Sequence, residues 1–171
     1  DVVETKEADV AQAVLNVCQK YGGGSVVLNN DVRLAELGIT DAVKANFDSY
    51  VWDFSKDEEN IEKSAAANIG IVHGEYGLAE SGGIVLFATK DNGRSTSLLP
   101  TTSVVVVRKS KVLPRVAQLA QILHEKAQAG ERMPSCINII SGPSATADIE
   151  LIKVVGVHGP VSKIYVVIDD L

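Results

Sequence analysis

The chain has only two cysteines among its 171 residues, Cys18 and Cys136, and they stand far apart with no Cys-x-x-Cys pair. An iron–sulfur cluster or a structural zinc site needs about four thiolate or imidazole ligands at short spacings, so we expect neither in this chain. Cys18 lies on an apolar helical face and Cys136 opens an apolar strand, which predicts that both are small core residues. No spacing of His, Asp and Glu predicts a metal site.

Long apolar runs and an excess of positive charge are also missing. No run reaches the roughly 18 residues of a membrane span, and no signal peptide opens the chain, so we expect a cytoplasmic protein without a membrane span. The net charge of −6 and the pI of about 5.0 argue against a nucleic-acid partner. The single basic cluster, over residues 108–115, is either a solvated loop or a local anion site.

The composition is that of a globular domain, with 46% hydrophobic and 22% charged residues. Hydrophobic periodicity predicts helices over 8–20, 31–37, 40–45, 57–66 and 114–126, and strands over 25–28, 50–54, 69–73, 76–79, 84–88, 104–108, 136–140 and 163–168. Helices alternate with strands at both ends of the chain, which favours parallel strands. The middle has no predicted helix, which indicates an antiparallel hairpin. The sequence therefore predicts an α/β fold with a Rossmann-like mixed sheet, residues 104–107 at its centre and helices on both faces.

A polar turn follows the strand over 136–140. Ser141, Gly142 and Ser144 form this turn, Thr146 is placed to cap a following helix, and Gly156 is placed to end it. Such a helix start can bind an anion, but Asp148 and Glu150 would complement its dipole and repel phosphate. Helix capping and ligand contact both remain open for these residues.

Two further side chains are candidates for chemistry. Glu80 lies between apolar strands, beside Ser81 and Gly82, where a carboxylate must be paired or used; a structural ion pair with Arg94 is one explanation. His158, before the last strand, is either an acid–base group or a helix-terminal hydrogen-bonding group. The glycine clusters match neither a phosphate-binding loop nor a dinucleotide fingerprint, and no Gly-x-Ser-x-Gly elbow occurs.

Three segments, 77–86, 94–100 and 140–160, resemble the LUD-domain family of lactate-utilisation proteins, of the LutC/YkgG type. The matching motif positions are Glu80, Ser81, Gly82, Ser97, Leu99, Pro100, Ser141, Gly142, Pro143, Ser144, Thr146, Asp148, Glu150, Gly156, His158, Gly159 and Pro160. The resemblance implies a NagB/RpiA/CoA-transferase-like fold and one domain over residues 1–171, without part of the family's usual amino-terminal region.

The resemblance also implies a function. It predicts an accessory, non-redox subunit in the oxidation of L-lactate to pyruvate, with no cofactor of its own and with iron–sulfur clusters on partner proteins. The alternative is a small-molecule acyl or CoA transferase, because Glu80-Ser81-Gly82 is similar to the nucleophile motif of related enzymes. Whether the chain catalyses a reaction alone is left open.

The polar candidates follow strands or flank helix ends, so we expect them to meet at the carboxyl edge of the sheet. The catalytic candidates are Glu80, Asp148 and His158, expected to converge within about one small-molecule diameter. The ligand-binding candidates are Ser81, Gly82, Arg94, Ser97, Ser141, Gly142, Ser144, Thr146 and Glu150. The expected ligand is a small carboxylate or a nucleotide-like group.

Overall fold

A computed structural model describes residues 1–143, 145–147, 152–156 and 158–171. These residues form the strands β1 (Val2–Thr5), β2 (Ser25–Leu28), β3 (Asp48–Val51), β4 (Ile69–His73), β5 (Tyr76–Leu78), β6 (Gly83–Ala88), β7 (Thr102–Arg108), β8 (Val112–Leu113), β9 (Cys136–Ser141), β10 (Ala145–Thr146), β11 (Val154–Val155) and β12 (Ser162–Ile168). They also form the helices α1 (Val10–Lys20), α2 (Val32–Glu36), α3 (Ile39–Asn46), α4 (Asp57–Ala66), α5 (Ser95–Leu98) and α6 (Val116–Gln128). None of the helices in these ranges is long and apolar enough to span a bilayer.

Six parallel strands form the larger sheet, in the order β1-β12-β7-β4-β2-β3. Strand β7 lies between β12 and β4, with Val104 opposite both Ile164 and Ile71. The predicted central position of residues 104–107 is confirmed, since all four valines are at most 2% exposed.

The continuous apolar run of β7 is explained by burial on both faces of the sheet. Successive side chains of a strand point to opposite faces. Val104 and Val106 therefore pack into a core under α1 and α3, while Val105 and Val107 pack into a second core on the other face. Neither face of this strand is left for water, so no polar alternation is needed.

The second face is covered partly by a second sheet, in the order β8-β5-β6-β9. Ile84 and Leu86 of β6 pack there against Val105 and Val107. Helix α6 covers the outer side of this second sheet through Leu119, which contacts the cluster of Leu78 and Val85.

The α/β class with helices on both faces is confirmed, with one difference in the sheets. The predicted antiparallel hairpin, β5 and β6, pairs with β9 in a sheet of its own and does not join the parallel strands. Strand β7 is apolar on both faces, so its second face needs a covering layer. The separate sheet that contains β6 supplies this layer. The middle of the chain also contains one short helix, α5, which periodicity did not predict.

The predicted helix from Thr146 to Gly156 is wrong for the residues that the structure describes there. Ala145 and Thr146 form a strand that pairs antiparallel with Val154 and Val155. The β-branched side chains of Thr146, Val154 and Val155 favour this pairing over a helix. Thr146 is exposed in this ribbon and caps no helix.

Candidate functional site

The turns at Ser141 and His158, predicted as site residues, line one cavity of about 450 Å³. We call it the motif cavity. Its lining residues are Leu98, Ile139, Ile140, Ser141, Gly142, Pro143, Ala145, His158, Gly159, Pro160 and Lys163. The structure therefore brings Ser141, Gly142 and His158 together.

The motif cavity lies at the amino end of the parallel strands, and the predicted carboxyl-edge position is wrong for it. Lys163 is the second residue of β12, and Leu98 precedes the start of β7. Strand β9 runs antiparallel to β6 in the second sheet, so its carboxyl end at Ser141 reaches the opposite edge of the molecule. The rule that sites gather at carboxyl ends applies to strands of the parallel sheet, to which β9 does not belong.

A hydrogen bond fixes the turn after β9. The backbone N–H of Gly142 donates to the Tyr165 hydroxyl at 3.1 Å. Gly142 has a φ of +70° and Gly159 a φ of +115°, conformations that favour glycine. The two turns that border the cavity are therefore set by backbone geometry available mainly to glycine.

Ser81 and Gly82 lie in the turn between β5 and β6, close to the end of β9. Gly83 pairs with Ser141, and a Cβ on Gly83 would lie 2.9 Å from the Ser81 Oγ and 3.0 Å from the Ser141 Oγ. The Ser81 hydroxyl accepts from the Gly83 N–H at 3.2 Å. These two predicted residues support the turn beside the cavity without lining it.

Glu80 has a different role from the one predicted. It is exposed, and its Oε1 accepts from the Val116 N–H at 2.6 Å, at the first residue of α6. The carboxylate thus satisfies a free amide and complements the helix dipole. The suggested ion pair with Arg94 is wrong, because the Glu80 carboxylate contacts the start of α6 while Arg94 lies at a separate small cavity.

Arg94 and Ser97 line a separate, very small cavity of about 10 Å³, together with Asn29, Asn92 and Asn138. The Ser97 hydroxyl donates to the Arg94 carbonyl at 3.0 Å. Asn29 directly follows β2, which places this cavity toward the carboxyl end of the parallel strands. The structure therefore separates Arg94 and Ser97 from the motif cavity, and only their neighbour Leu98 reaches it.

Sequence reasoning missed Lys163 in the motif cavity. The residue is 5% exposed, and its Nζ has no hydrogen-bond partner among the described residues. Burial lowers the pKa of the ammonium from 10.5 to about 8. The signal was available, because a lysine inside an apolar strand is a buried charge that needs an explanation.

A second missed cluster lies at the carboxyl ends of β2 and β4. Arg33 donates to both oxygens of Asp31, at 2.9 and 2.7 Å, and to both oxygens of Glu75, at 3.0 and 2.6 Å. Burial alone would raise the pKa of Asp31, but the hydrogen bonds and charge of Arg33 outweigh it and leave the pKa lowered. This is the point where the strand order changes direction, so the rule for parallel sheets could have identified it.

His73, at the end of β4, is buried beside this cluster. Burial and then the charge of Arg33 lower its pKa from 6.5 to about 4. Neither ring nitrogen has a hydrogen-bond partner in the part of the chain that is described. His73 is therefore neutral near pH 7.

Three predicted positions, Ser144, Asp148 and Glu150, lie outside the described residues. The predicted convergence of Asp148 with Glu80 and His158 therefore has no structural counterpart to compare. Of the other two, His158 is exposed at the motif cavity, while the Glu80 carboxylate is directed to α6. Over the described ranges, no three or more His, Cys, Asp and Glu side chains are grouped so that they could hold a metal ion.

Comparison with known families gives a match over nearly the whole chain, since the LUD domain profile covers residues 1–168. The chain belongs to the LUD domain family. It is 58% identical over 166 residues to the protein YkgG of Escherichia coli (strain K12), covering 97% of this chain and 72% of that protein. It is 45% identical over 170 residues to lactate utilization protein C of Macrococcus caseolyticus (strain JCSC5402), covering 99% of this chain and 72% of that protein.

Two further relatives agree with this assignment. Lactate utilization protein C of Bacillus subtilis (strain 168) is 42% identical over 175 residues, covering 99% of this LUD chain and 73% of its own length. The crystal structure of a DUF162 family protein from Deinococcus radiodurans is similar in fold, with a TM-score of 0.65 at 18% identity, covering 98% of this chain and 87% of that one. The resemblance to LutC/YkgG-type LUD proteins is confirmed.

Proposed function

We propose that this chain is an accessory, non-redox subunit in the oxidation of L-lactate to pyruvate, and that it works in the cytoplasm with iron–sulfur partner proteins. The observation that carries the proposal is the similarity to proteins named lactate utilization protein C, at 42 and 45% identity over 99% of the chain. Similarity at this level over this length supports the same physiological role.

The low cysteine content supports a non-redox role for this chain, with the iron–sulfur clusters on partner proteins. Cys18 is buried in α1 and Cys136 begins β9 in the second sheet, so they lie on separate elements. Two distant thiols cannot supply the roughly four cysteine ligands of an iron–sulfur cluster. An iron–sulfur cluster would therefore need ligands from outside these 171 residues.

Exposed apolar residues beside the motif cavity support a partner surface there. Ile139 of β9 lines the cavity and is 46% exposed. Val155 is 42% exposed and pairs with Ala145, another lining residue. Val161 is 48% exposed and would lie 2.5 Å from a Cβ on Gly156. Clustered exposed side chains of this kind mark interaction surfaces.

A pull-down with purified iron–sulfur proteins of L-lactate oxidation tests the proposal. We expect the wild-type protein to retain them and Val155→Glu to lose them, because a charge in a buried interface is costly. Val32→Glu is the matched control, since Val32 is 66% exposed on α2, away from this surface. No retention by the wild type, together with normal growth on L-lactate after deletion of its gene, would contradict the proposal.

The acyl-transfer alternative has no support from the geometry at Glu80. A nucleophilic carboxylate must reach a bound substrate. The Glu80 carboxylate is at an exposed turn and accepts the Val116 N–H, and Glu80 does not line the motif cavity. We therefore retain only the lactate role.

A further inference from the structure

We propose that the motif cavity binds a small organic monocarboxylate and that the ammonium group of Lys163 binds its carboxylate. The inference deepens the proposed lactate role and rests on it for its physiological meaning, while carboxylate binding is tested on the purified chain alone. It rests on the position of Lys163, the residues around it and the shape of the cavity.

The fold places the Lys163 side chain between the two sheets. In β12, Ile164 and Val166 pack into the core under α1, and Tyr165 and Val167 pack on the opposite face against β7. Because side chains alternate along a strand, Lys163 shares the face of Tyr165. At the start of β12 this face opens into the motif cavity, which Lys163 lines.

The protein provides no counter-charge for this ammonium among the described residues. Lys163 is 5% exposed and its Nζ makes no hydrogen bond within the described ranges. No described residue that lines the cavity is acidic. Burying an unpaired ammonium is unfavourable, and an anion bound in the cavity removes much of that cost.

A second buried polar group lies on the neighbouring strand, although it does not line the cavity itself. Ser103 pairs with Lys163 across β7 and β12, so both side chains lie on one face of the sheet. The Ser103 Oγ is buried and also lacks a partner in the described part of the protein.

The remaining walls select the kind of anion. Leu98, Ile139, Ile140 and Pro143 give the cavity an apolar lining. One buried ammonium balances one negative charge, so a polyphosphate would remain largely uncompensated in this cavity. A volume of about 450 Å³ is within the usual range for small-molecule sites, so a carboxylate with a short hydrocarbon body fits.

Isothermal titration calorimetry with the purified protein tests the proposal. The probes are L-lactate, pyruvate and butyrate, with uncharged butyramide and inorganic phosphate as ligand controls. We expect at least one carboxylate to bind, and butyramide and phosphate to bind more weakly by roughly 10-fold or more, as for loss of a charge-assisted hydrogen bond.

Two variants locate the binding group. Lys163→Met keeps the apolar stem and removes the ammonium, so carboxylate affinity should fall roughly 10- to 100-fold. Lys153→Met, at an exposed lysine between the cavity's two motif segments, should bind as the wild type does. If Lys163→Met fails to fold, nitrogen NMR of Lys163 in the wild type replaces it, and the carboxylate should raise the pKa of the ammonium. Unchanged affinity in Lys163→Met, no change in that pKa, or binding of phosphate alone would overturn the proposal.

Discussion

Two buried basic side chains, Lys163 and His73, lie at opposite ends of the parallel strands, one at the start of β12 and the other at the end of β4. Both have pKa values lowered mainly by burial, and neither side chain has a hydrogen-bond partner among the described residues. Because a shifted pKa is a statement about stability, each residue should leave a distinct mark on the pH dependence of unfolding.

Lys163→Met should stabilise the ligand-free protein at pH 7. The folded-state pKa of about 8 lies below the ordinary value of 10.5, so the unfolded state binds more protons between these values. Wild-type stability therefore rises as the pH increases from 8 to 10.5, and the buried charge costs about 3 kcal/mol below pH 8. Urea unfolding at pH 7, 9 and 10 should show a gain in the variant that shrinks as the pH rises. A less stable variant at pH 7 would show that Lys163 has a stabilising partner.

His73→Leu should remove part of the sensitivity of the fold to acid. The folded-state pKa of about 4 lies below the ordinary 6.5, so stability is lost as the pH falls through this window. Between pH 7 and pH 5 the wild type should lose about 2 kcal/mol through His73. Denaturant unfolding at both pH values should show a smaller loss in the variant, whereas a variant of exposed His124, His124→Gln, should keep the wild-type loss. Equal losses in all three proteins would contradict the assignment.

Glu80→Ala should weaken α6 and have little other effect. The substitution leaves the Val116 N–H without its acceptor at the start of the helix, at an expected cost of about 1 kcal/mol. Glu80→Gln retains an acceptor oxygen and should cost less. Chemical denaturation of the two variants measures the difference. Equal stability of Glu80→Ala and the wild type would show that the contact contributes nothing.

At the scale of elements, β4 and α5 contact each other more closely than any side chain would allow. A Cβ on Gly70 would lie 1.9 Å from the Thr96 carbonyl oxygen and 2.8 Å from the Pro100 Cγ. The absence of a side chain at Gly70 therefore lets α5 pack directly on the parallel sheet, between the motif cavity and the small cavity at Arg94.

Gly70→Ala should displace α5 and destabilise the protein by about 3 kcal/mol, because the obstacle is backbone. Gly77→Ala is the control, since its Cβ would meet only the Val112 side chain at 3.2 Å. Thermal unfolding should give a much lower midpoint for Gly70→Ala than for Gly77→Ala. Similar midpoints would mean that α5 moves at little cost.

Most helices and strands could be predicted from periodicity because their patterns are local. Strand β2 and helix α4 have the predicted bounds, and the run of valines in β7 identified the sheet centre. The ribbon of β10 and β11 could not be predicted in this way. Its strands have two residues each and exist through pairing between distant positions, which a local capping pattern at Thr146 does not reveal.

Only part of the candidate site could be predicted, because local patterns show turns but not how distant strands pair. The turns at Ser141 and His158 were both chosen as candidates from the sequence, and both line the motif cavity. The edge of the molecule at which these turns lie was predicted wrongly, because it depends on the pairing of β9 with β6 in the second sheet. Lys163 was not predicted, although a lysine inside an apolar strand is a signal of a buried charge, because the cavity that it lines depends on how the two sheets pack.

At the scale of the whole molecule, the two sheets produce two polar regions at opposite edges. At the carboxyl ends of β2 and β4, the Arg33 guanidinium is paired with the carboxylates of Asp31 and Glu75. The motif cavity has an unpaired buried ammonium among the described residues, family motif turns and exposed apolar neighbours. Under the two proposals above, a ligand and a partner protein both bind the chain at this second region.

The most direct test of this account is growth on L-lactate of a bacterial strain that lacks its own lactate utilization protein C. The strain should grow when it carries the full-length gene of this protein, or that gene with Glu80→Gln. It should fail to grow with Lys163→Met, although that variant is present at the wild-type level by immunoblot. Wild-type growth with Lys163→Met would contradict the claim that the motif cavity serves lactate oxidation.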